Sequence, residues 1–421
     1  MSPLLSALLL LSLNLGILWL LMAAPIGRRT IRIRRTFQTA PEAIWRAIDP
    51  AGEEAAWHHS VISSRELQNR PGVVEQTYAH LDRHGEPIRR LLAVEPVAAT
   101  PEGRAYSARI IDDSALDAGF WRNYRERREV SLSEGGTTLL VEQTDRYRGL
   151  AFLLFRYFVL RREMRALESW IETGKSKPNG HFEHPLMQTA LAVISTLILW
   201  PFFGLTIGGL MISTFLTLVI VLHELGHMAA YRTFGHTSVR MIFVPLLGGI
   251  AIGGRPYNSL FEVATCALMG PGMSAFLVPI LVAAHDMSAR GAISGLFSLP
   301  ILTFLLILGA FNLLNLLPMY RFDGGQILRQ AFRGRLSLLC ASFGITFIIL
   351  WVGWQIHVPS AALLAGLAVF TLLSLIGARS VKPKEKLEEM TGAERMLISF
   401  GLYAAVMIHA YAIIYSAHLL F

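Results

Sequence analysis

The chain contains 421 residues, of which 53% are hydrophobic and only 16% are charged. Soluble globular domains carry about 25% charged residues, and disordered chains combine low hydrophobicity with high charge, so the composition argues against both classes. Lysine and arginine (38) exceed the acidic residues (30), which gives a net charge of +8. No basic run interleaved with aromatic residues accompanies this excess. We therefore expect no nucleic-acid partner and interpret the positive charge as that of cytoplasmic loops.

Polarity divides the sequence into three parts. Residues 3–24 are almost wholly apolar, residues 28–186 hold most of the charge, and residues 187–421 are apolar runs broken by short polar joints. We therefore expect a polytopic α-helical membrane protein that also carries a soluble α+β domain. The predicted domains are an anchor helix (1–27), a soluble domain (28–173), a linker (174–186) and a polytopic domain (187–421).

The first apolar run, Leu4 to Ala24, is long enough to span a bilayer. A cleaved signal peptide is the alternative, but it would carry positive charge before its apolar run. Here the arginines follow the run, beginning with Arg28 and Arg29. This order favours a signal anchor and places the soluble domain in the cytoplasm.

Later apolar runs raise the expected number of membrane spans to about eight. They cover residues 187–204, 207–231, 258–285, 293–318, 337–355, 361–378 and 395–419. Lysine and arginine are concentrated in the segments that this arrangement places inside, as the positive-inside rule requires. We expect an integral protein of the bacterial cytoplasmic (inner) membrane, in contact with the lipid bilayer and with both termini outside.

The soluble segment alternates strand-like and helical stretches. Thr30–Thr36 predicts a strand, and Pro41–Ile48 predicts a short helix with proline at its start. An amphipathic helix is predicted from Leu150 to Thr173. Between the two helices lie strand-like runs near residues 72–80, 88–97, 104–112, 124–133 and 137–146. This order is typical of the helix-grip arrangement.

The sequence of this segment resembles that of START-like (SRPBCC) domains. The resemblance is carried by FQTAPEAIWRAI at residues 37–48, by Trp57 and by RALESWIE at residues 165–172. It implies an apolar ligand held between the sheet and the long helix. A scaffold or regulatory domain without ligand is the alternative. His58 and His59 are interpreted as an exposed pair on a loop rather than as metal ligands.

One pentad carries the chemistry of the polytopic domain: His223-Glu224-Leu225-Gly226-His227. In a helix, residues i and i+4 lie on one face, so both imidazoles can bind a single Zn²⁺. Glu224 can then take a proton from a zinc-activated water. Ionisable groups are costly within a bilayer and mark a functional site by default. The alternative is that each group has a buried structural partner.

A third zinc ligand is expected from Asp323. Pro318 can end the preceding helix, and Gly324 and Gly325 free the backbone to direct the carboxylate. Two histidines and one carboxylate leave the fourth position of a tetrahedral site to water, as catalytic zinc requires.

Together the two motifs resemble the site-2 protease family of intramembrane zinc metalloproteases, over about residues 205–330. The second motif is Asn315-x-x-Pro318-x-x-x-x-Asp323-Gly324, and Phe322 stands where that family commonly has leucine. The resemblance implies one zinc ion per chain, with Glu224 as catalytic base and Asn315 close to the substrate. The implied zinc ligands are His223, His227 and Asp323. Asn312 is interpreted as a residue that hydrogen-bonds between helices.

A glycine-rich apolar segment, Val244–Gly254, separates the motifs. Non-helical backbone at membrane depth is tolerated only where it is buried or lines water. We expect Gly248 and Gly249 to belong to a strand that holds an unwound substrate by strand addition, with a plain turn as the alternative. Gly270-Pro271-Gly272 is expected to break or kink the next span.

The sequence therefore predicts a zinc metalloendopeptidase that cuts a transmembrane protein substrate near the cytoplasmic face, in regulated intramembrane proteolysis. The alternative is a membrane-tethered protein that binds an apolar ligand, such as a lipid, and whose metal site is inert. A metal-ion transporter would need further carboxylate or histidine ligands along a path, and in the other apolar runs such residues are not grouped.

Overall fold

The computed structural model describes most of the chain, which divides into two compact units. The described residues are 16, 19–20, 23–52, 57–58, 60–100, 103–175, 185–244, 248–320, 322–366, 384 and 386–421. The first unit comprises Met1–Asn179 and Ile376–Lys386, and the second comprises Gly180–Leu375 and Leu387–Phe421. The division after Asn179 lies within the predicted linker. The predicted anchor helix falls almost wholly outside the described residues.

The first unit is built on an antiparallel sheet of seven strands in the order β1-β7-β6-β5-β4-β3-β2. The strands are β1 (Pro25–Phe37), β2 (Val61–Glu66), β3 (Val73–Leu81), β4 (Pro87–Thr100), β5 (Gly103–Asp113), β6 (Arg125–Ser133) and β7 (Gly136–Arg148). The helices are α1 (Pro41–Ile48), α2 (Ala118–Trp121) and α3 (Leu150–Thr173). This is the helix-grip arrangement expected from the sequence.

Two helices pack on the sheet through regularly spaced apolar residues. Helix α1 has proline in its first turn and buries Ile44 and Ile48. Helix α3 buries Leu160, Met164 and Leu167, at the i, i+4, i+7 spacing of one helix face. These residues form one core with the buried side chains of the sheet.

The predicted α1 and α3 match the structure residue for residue, but the strand predictions contain two errors. Strand β1 begins at Pro25 rather than Thr30, because it pairs with β7 along its whole length, up to the partners Pro25 and Arg148. Strand β2, at the edge of the sheet, was not predicted. Its sequence, VISSRE, has only one fully buried side chain, so no alternation of apolar residues marks it.

Six helices of the second unit are long and apolar enough to cross a membrane, among the residues described. They cover Pro185–Phe203, Ile207–Thr233, Leu260–Ala289, Gly295–Asn315, Arg335–Gln355 and Gly392–Leu420. Each corresponds to a predicted run. The other two predicted spans, at the N-terminus and at 361–378, fall wholly or mostly outside the described residues.

The elements of the second unit continue the numbering of the first. The helices are α4 (Pro185–Leu199), α5 (Ile207–Thr233), α6 (Leu260–Ala289), α7 (Ser298–Asn315), α8 (Asp323–Ala331), α9 (Arg335–Gln355) and α10 (Gly392–Leu420). A hairpin of β8 (Arg240–Val244) and β9 (Gly248–Ile252) lies between α5 and α6. One apolar core joins four of the helices through Val219, Val278, Leu305, Leu308 and Ala412.

Helix α6 runs without interruption through Gly270-Pro271-Gly272, so of the expected break or kink the break is wrong and the kink stays a prediction. Membrane helices tolerate proline. On α10, Nε2 of His409 lies 2.9 Å from the carbonyl oxygen of Pro271 itself. Asp323 begins the separate helix α8, after the chain has turned at Leu316–Met319.

Candidate metal centre

Three potential zinc ligands converge between α5 and the start of α8. Nε2 of His223 lies 3.0 Å from Nε2 of His227 and 3.1 Å from Oδ2 of Asp323. Nε2 of His227 lies 3.5 Å from the same carboxylate oxygen. Ligands at about 2.0–2.1 Å from a tetrahedral metal lie roughly 3.3 Å from one another. The three predicted ligands therefore have the spacing that a single zinc ion needs.

The other nitrogen of each imidazole is held by an oxygen acceptor. Nδ1 of His223 lies 2.8 Å from Oδ1 of Asn312 on α7, and Nδ1 of His227 lies 2.6 Å from the carbonyl oxygen of Cys266 on α6. Both contacts require the proton on Nδ1, so both Nε2 lone pairs face the point of convergence. Asn312 is fixed in turn, because its Nδ2 donates to the carbonyl of Leu308 at 2.8 Å.

Glycines allow the helices to approach closely enough to form this centre. A Cβ at Gly270 would lie 2.5 Å from Nε2 of His227 and 2.8 Å from Cε1 of His223. A Cβ at Gly226 would lie 2.1 Å from the carbonyl oxygen of Met269. Since real Cβ atoms do not approach so closely, the two glycines set the distance between α5 and α6 and leave room for both imidazoles.

The loop before α8 depends on glycine in the same way. A Cβ at Gly324 would lie 2.0 Å from the carbonyl oxygen of Leu316, and one at Gly325 would lie 1.8 Å from that of Met319. The start of α8 can therefore fold back on the end of α7. This packing brings the Asp323 carboxylate to the histidines. The sequence predicted only backbone freedom for Gly324 and Gly325, and the structure shows that they also permit close packing.

Glu224 lies beside the three ligands and contacts the hairpin. The ligand atoms of His223, Glu224 and His227 all lie within 4.8 Å of one another. Oε2 of Glu224 accepts a hydrogen bond of 2.7 Å from the backbone N–H of Ala251 on β9. A Cβ at Gly249 would lie 2.4 Å from Cγ of Glu224. Asp323 therefore approaches both imidazoles, whereas Glu224 is held by β9.

The two outer edges of the hairpin differ. The backbone N–H of Phe243 on β8 points away from β9 and donates to Oε1 of Gln188 on α4. The N–H of Ala251 on β9 points away from β8, toward Glu224. Gly249 shares that edge, because alternate residues of a strand direct their backbone groups to the same side. The hairpin therefore has one edge covered by α4 and one edge directed at the metal centre.

A cavity of about 260 Å³ adjoins the centre. It is lined by the three ligands and Glu224, by Gly249, Ile250 and Ala251 of β9, and by Asn315, Phe322 and Gln326. The side-chain nitrogen of Asn315 donates to the carbonyl of Phe311 in its own helix at 3.0 Å. Gly248 lies next to the cavity at the start of β9, with φ +100°. Strand structure is thus confirmed for Gly248 and Gly249, whereas their role toward a substrate stays a prediction.

Two tyrosines of the cavity wall were missed by sequence reasoning. The hydroxyl oxygens of Tyr231 and Tyr257 lie 2.7 Å apart, and both side chains line the cavity. Tyr231 follows His227 by four residues, so it continues the helix face that carries the two histidines. That spacing could have identified Tyr231. Tyr257 lies in irregular backbone and has no comparable sequence signal.

A buried polar network anchors the segment that follows the hairpin. Nε2 of His236 lies 2.7 Å from Oε1 of Glu262, and a guanidinium nitrogen of Arg255 lies 3.1 Å from the same oxygen. The backbone N–H of Asn258 donates to Oε2 of Glu262 at 2.6 Å. The network ties the end of α5 to the start of α6 and holds the chain that leads away from β9.

The helix-grip unit has a separate cavity of about 350 Å³. Its lining is more polar than the expected apolar ligand suggests, although the fold is compatible with such a ligand. The wall includes the aromatic residues Trp57, Tyr78, Tyr106, Trp121 and Tyr124, and the charged residues Arg90, Glu126, Arg128, Arg156 and Glu163. His58 lies in this wall, half-buried, with Nε2 3.8 Å from Glu163, so the expected exposed pair is wrong for His58. His59 lies outside the described residues.

Charges in this cavity are arranged in pairs. Nε of Arg128 donates to Glu126 at 2.7 Å, and Tyr124 and Gln143 donate to the other carboxylate oxygen at 2.6 and 3.0 Å. Burial alone would raise the pKa of Glu126, but the Arg128 charge and these hydrogen bonds outweigh it and hold the pKa below its usual range. Glu126 is therefore ionised, and three of its roughly four acceptor positions are already occupied.

Arg90 is the second paired guanidinium. Its Nε donates to Asp113 at 2.7 Å, and its guanidinium carbon lies 4.4 Å from the ring of Tyr78 and 4.7 Å from the ring of Trp121. Nη2 of Arg156 lies 3.5 Å from the amide oxygen of Gln143. Each of the three guanidinium groups has more N–H donors than these contacts use. The cavity is therefore rich in donors.

Comparisons with known proteins concern only part of this chain. No family model and no curated protein matches it. Among solved structures, Ara h 8.0201 is 14% identical, with a TM-score of 0.27, over 35% of this chain and 99% of its own. A START superfamily protein from Mycobacterium smegmatis is 14% identical, with a TM-score of 0.26, over 35% and 99%. An uncharacterised protein from Rhizobium leguminosarum is 19% identical, with a TM-score of 0.25, over 34% and 95%.

These scores and identities are low, so they carry no statement about ligand or activity. The first unit has the START-like helix-grip fold, because its strands have that order and α1 and α3 pack on the sheet. The resemblance to site-2 proteases is based on the two motifs of the second unit.

Proposed function

We propose that the chain is an intramembrane zinc metalloprotease that hydrolyses a peptide bond in a transmembrane protein substrate. The proposal is supported above all by the convergence of two imidazole nitrogens and one carboxylate oxygen, within 3.5 Å, from motifs that are distant in sequence. A set of His223, His227 and Asp323 fits zinc and leaves a position for water.

Zinc held by these ligands would supply a Lewis acid and lower the pKa of a water molecule. The chain directs both imidazoles, because Asn312 and the carbonyl of Cys266 hold the proton on Nδ1 and leave each Nε2 facing the point of convergence. Glu224 takes the proton of the attacking water and passes it to the leaving amine. Its Oε2 is held by the N–H of Ala251, so the carboxylate is oriented by the same strand that faces the cavity.

The substrate is proposed to bind as an extended segment along the edge of β9 that faces the metal centre. Helical backbone has its carbonyl groups occupied, so a substrate helix has to unwind before water can attack it. An exposed strand edge stabilises the unwound segment by backbone hydrogen bonds. The β9 edge that bears Gly249 and Ala251 faces Glu224, which places such a segment beside the proton acceptor.

Two measurements on detergent-purified protein test this proposal. Zinc per chain is determined by mass spectrometry for wild type, Asp323→Ala and Glu224→Gln. Hydrolysis is followed with a reconstituted, fluorogenic transmembrane peptide that contains a helix-breaking Gly-Pro pair. We expect one zinc per chain in wild type and Glu224→Gln, a sharp loss in Asp323→Ala, and hydrolysis in wild type alone. Folded wild type that binds no zinc after resupply would refute the metal centre, and hydrolysis by Glu224→Gln equal to wild type would refute the catalytic role.

A second function, ligand binding by the helix-grip unit, is favoured by the donor-rich cavity. We infer that its ligand is a small amphipathic acid, whose acidic oxygens accept hydrogen bonds from Arg90, Arg128 or Arg156 and whose apolar body contacts the aromatic wall. The aromatic rings can contact the apolar part of the ligand, which the sequence predicted. Such a ligand would regulate the protease or recruit its substrate.

The probes for this function are 1-naphthoate and 1-naphthalenemethanol, which share a ring system and differ in charge. Binding to the full chain is followed by quenching of tryptophan fluorescence, since Trp57 and Trp121 line the cavity. We expect saturable binding of the acid, at least about tenfold tighter than of the alcohol, and weaker binding of the acid to Arg156→Gln. Equal or preferential binding of the neutral probe would contradict an acidic ligand and favour a purely apolar one.

A further inference from the structure

The outer face of α3 has an unusual composition for a helix of a soluble domain. The half of the helix that follows Gly149 exposes Phe152 (43%), Leu154 (45%), Phe155 (58%) and Phe158 (59%). Exposed apolar residues of this size rarely cluster on one helix unless they contact a partner or a membrane. The buried residues of α3, Leu160, Met164 and Leu167, lie on a different side of the helix and pack on the sheet.

Basic residues continue the same face. At 100° per residue, Leu154, Phe155 and Phe158 share an outer stripe with Arg161 and Arg165, both of which are exposed. The stripe is therefore apolar in the first turns of α3 and basic in the later ones. Aromatic residues with neighbouring arginines are the composition of a helix that lies at a membrane interface, with rings among the acyl chains and guanidinium groups at lipid phosphates.

The position of this stripe is fixed by a contact with the N-terminal segment. The backbone N–H of Gly149, directly before α3, donates to the carbonyl of Ala24 at 2.9 Å. Ala24 is the last residue of the apolar run that predicts the first membrane span, and Trp19 and Leu20 within that run are exposed. Phe155 follows Gly149 by about 9 Å along the helix axis, at 1.5 Å per residue. The apolar part of the stripe thus begins where the chain is expected to leave the bilayer.

We infer that the outer stripe of α3, from Leu154 to Arg165, docks on the surface of the lipid bilayer beside the N-terminal anchor. The aromatic residues enter the interface, and Arg161 and Arg165 contact anionic headgroups. The helix-grip unit is thereby held in one orientation on the membrane. This inference uses the sequence of the anchor and the geometry of the first unit, and it is independent of the chemistry proposed for the metal centre.

The test uses the full chain in lipid nanodiscs, with an environment-sensitive fluorophore on single cysteines. Cys340 is exposed and is replaced by serine, whereas Cys266 is buried and stays. The label is attached at Phe155→Cys or Phe158→Cys. The matched control is Leu132→Cys, an exposed apolar residue (63%) of the same unit. Leu132 pairs with Thr137, whose other partner is Phe37, so it lies at the opposite end of β1 from Ala24, roughly 40 Å away at 3.3 Å per residue.

Quenching by doxyl-labelled phosphatidylcholine decides the outcome. We expect several-fold stronger quenching at positions 155 and 158 than at 132, and a further increase when phosphatidylglycerol is added. The increase should be lost in Arg161→Gln/Arg165→Gln. Quenching at 155 and 158 no stronger than at 132 would overturn the inference. A blue-shifted label that lipid does not quench would also overturn it, because the face would then be covered by protein, such as a second copy of the chain.

Discussion

Oδ1 of Asn312 on α7 lies 2.8 Å from Nδ1 of His223 on α5, and this contact connects α7 to the metal centre. The amide cannot rotate freely, because its nitrogen donates to the carbonyl of Leu308. Asn312 therefore determines which nitrogen of His223 carries the proton. Ligand histidines depend on such partners for their orientation and basicity.

The first prediction concerns this contact. Replacing Asn312 by leucine, which has a similar volume, removes the acceptor for Nδ1 of His223. We expect zinc affinity to fall about 10–100-fold with the fold retained. The measurement is competition with a zinc chelator in detergent. Asn315→Leu is the control, since the Asn315 nitrogen donates to a carbonyl of its own helix. Equal zinc affinity in the two variants would show that Asn312 does not support the centre.

The second prediction concerns the room that Gly270 leaves for the imidazoles. Its Cβ would lie 2.5 Å from Nε2 of His227, so Gly270→Ala has to displace a ligand. We expect zinc affinity to fall by at least about tenfold, the effect of disturbing a ligand's support. Gly272→Ala is the control on the same helix, because its Cβ would meet nothing closer than Sδ of Met269 at 3.8 Å. A Gly270→Ala protein with wild-type zinc affinity would contradict the geometry of the centre.

The third prediction separates catalysis from metal binding. A Cβ at Gly249 would lie 2.4 Å from Cγ of Glu224 but touches no zinc ligand among its three nearest atoms. Gly249→Ala is therefore expected to retain one zinc per chain and to lower hydrolysis on the order of 100-fold, the cost of misplacing a reacting group by about 1 Å. Zinc content and the rate of peptide cleavage are measured on the same preparation. Loss of zinc together with activity would indicate that the hairpin supports the metal instead.

The sequence could predict those parts of the site that are formed by side chains at a regular spacing. It could not predict contacts that use the backbone. His223 and His227 follow the helical repeat, and Asp323 is marked by its proline and glycines. The support for His227 comes from the backbone carbonyl of Cys266, and every residue type carries that group, so no sequence pattern identifies it. The turn that places Asp323 on a separate helix depends on packing at Gly325, which is decided in three dimensions.

The fold of the first unit shows a similar division. Helices α1 and α3 carry buried apolar residues at helical spacing and were predicted to the residue. Strand β6 carries charge on both faces, so its alternation indicates a strand without showing which face is inside. Glu126 and Arg128 point into the cavity, whereas Arg127 and Glu129 pair on the exposed face. The polar character of the cavity was therefore not visible in the sequence.

The fourth prediction concerns the pH dependence of the helix-grip unit. The pKa of Glu126 is held below its usual range, because the charge of Arg128 and three hydrogen bonds outweigh the effect of burial. A carboxyl whose pKa is lower in the folded than in the unfolded state stabilises the fold above its unfolded pKa. That stability is lost as the pH falls through the folded pKa. We expect Glu126→Gln to lose about 3–5 kcal/mol at neutral pH, since Arg128 is left buried without its partner.

The difference between wild type and Glu126→Gln should begin to shrink as the pH falls below the unfolded pKa of about 4.3, because the unfolded wild-type chain then takes up a proton. It should be lost below the lower folded pKa, where Glu126 is neutral in both states. The free energy of unfolding is measured by pulse proteolysis of the full chain in urea, following cleavage within residues 28–173. Glu95→Gln is the control, because the side chain of Glu95 is 70% exposed and approaches Arg109 only to 3.9 Å. We expect this control to match wild type within about 0.5 kcal/mol at neutral pH. A Glu126→Gln effect that stays constant down to acid pH would show that the loss comes from packing rather than from the charge of Glu126.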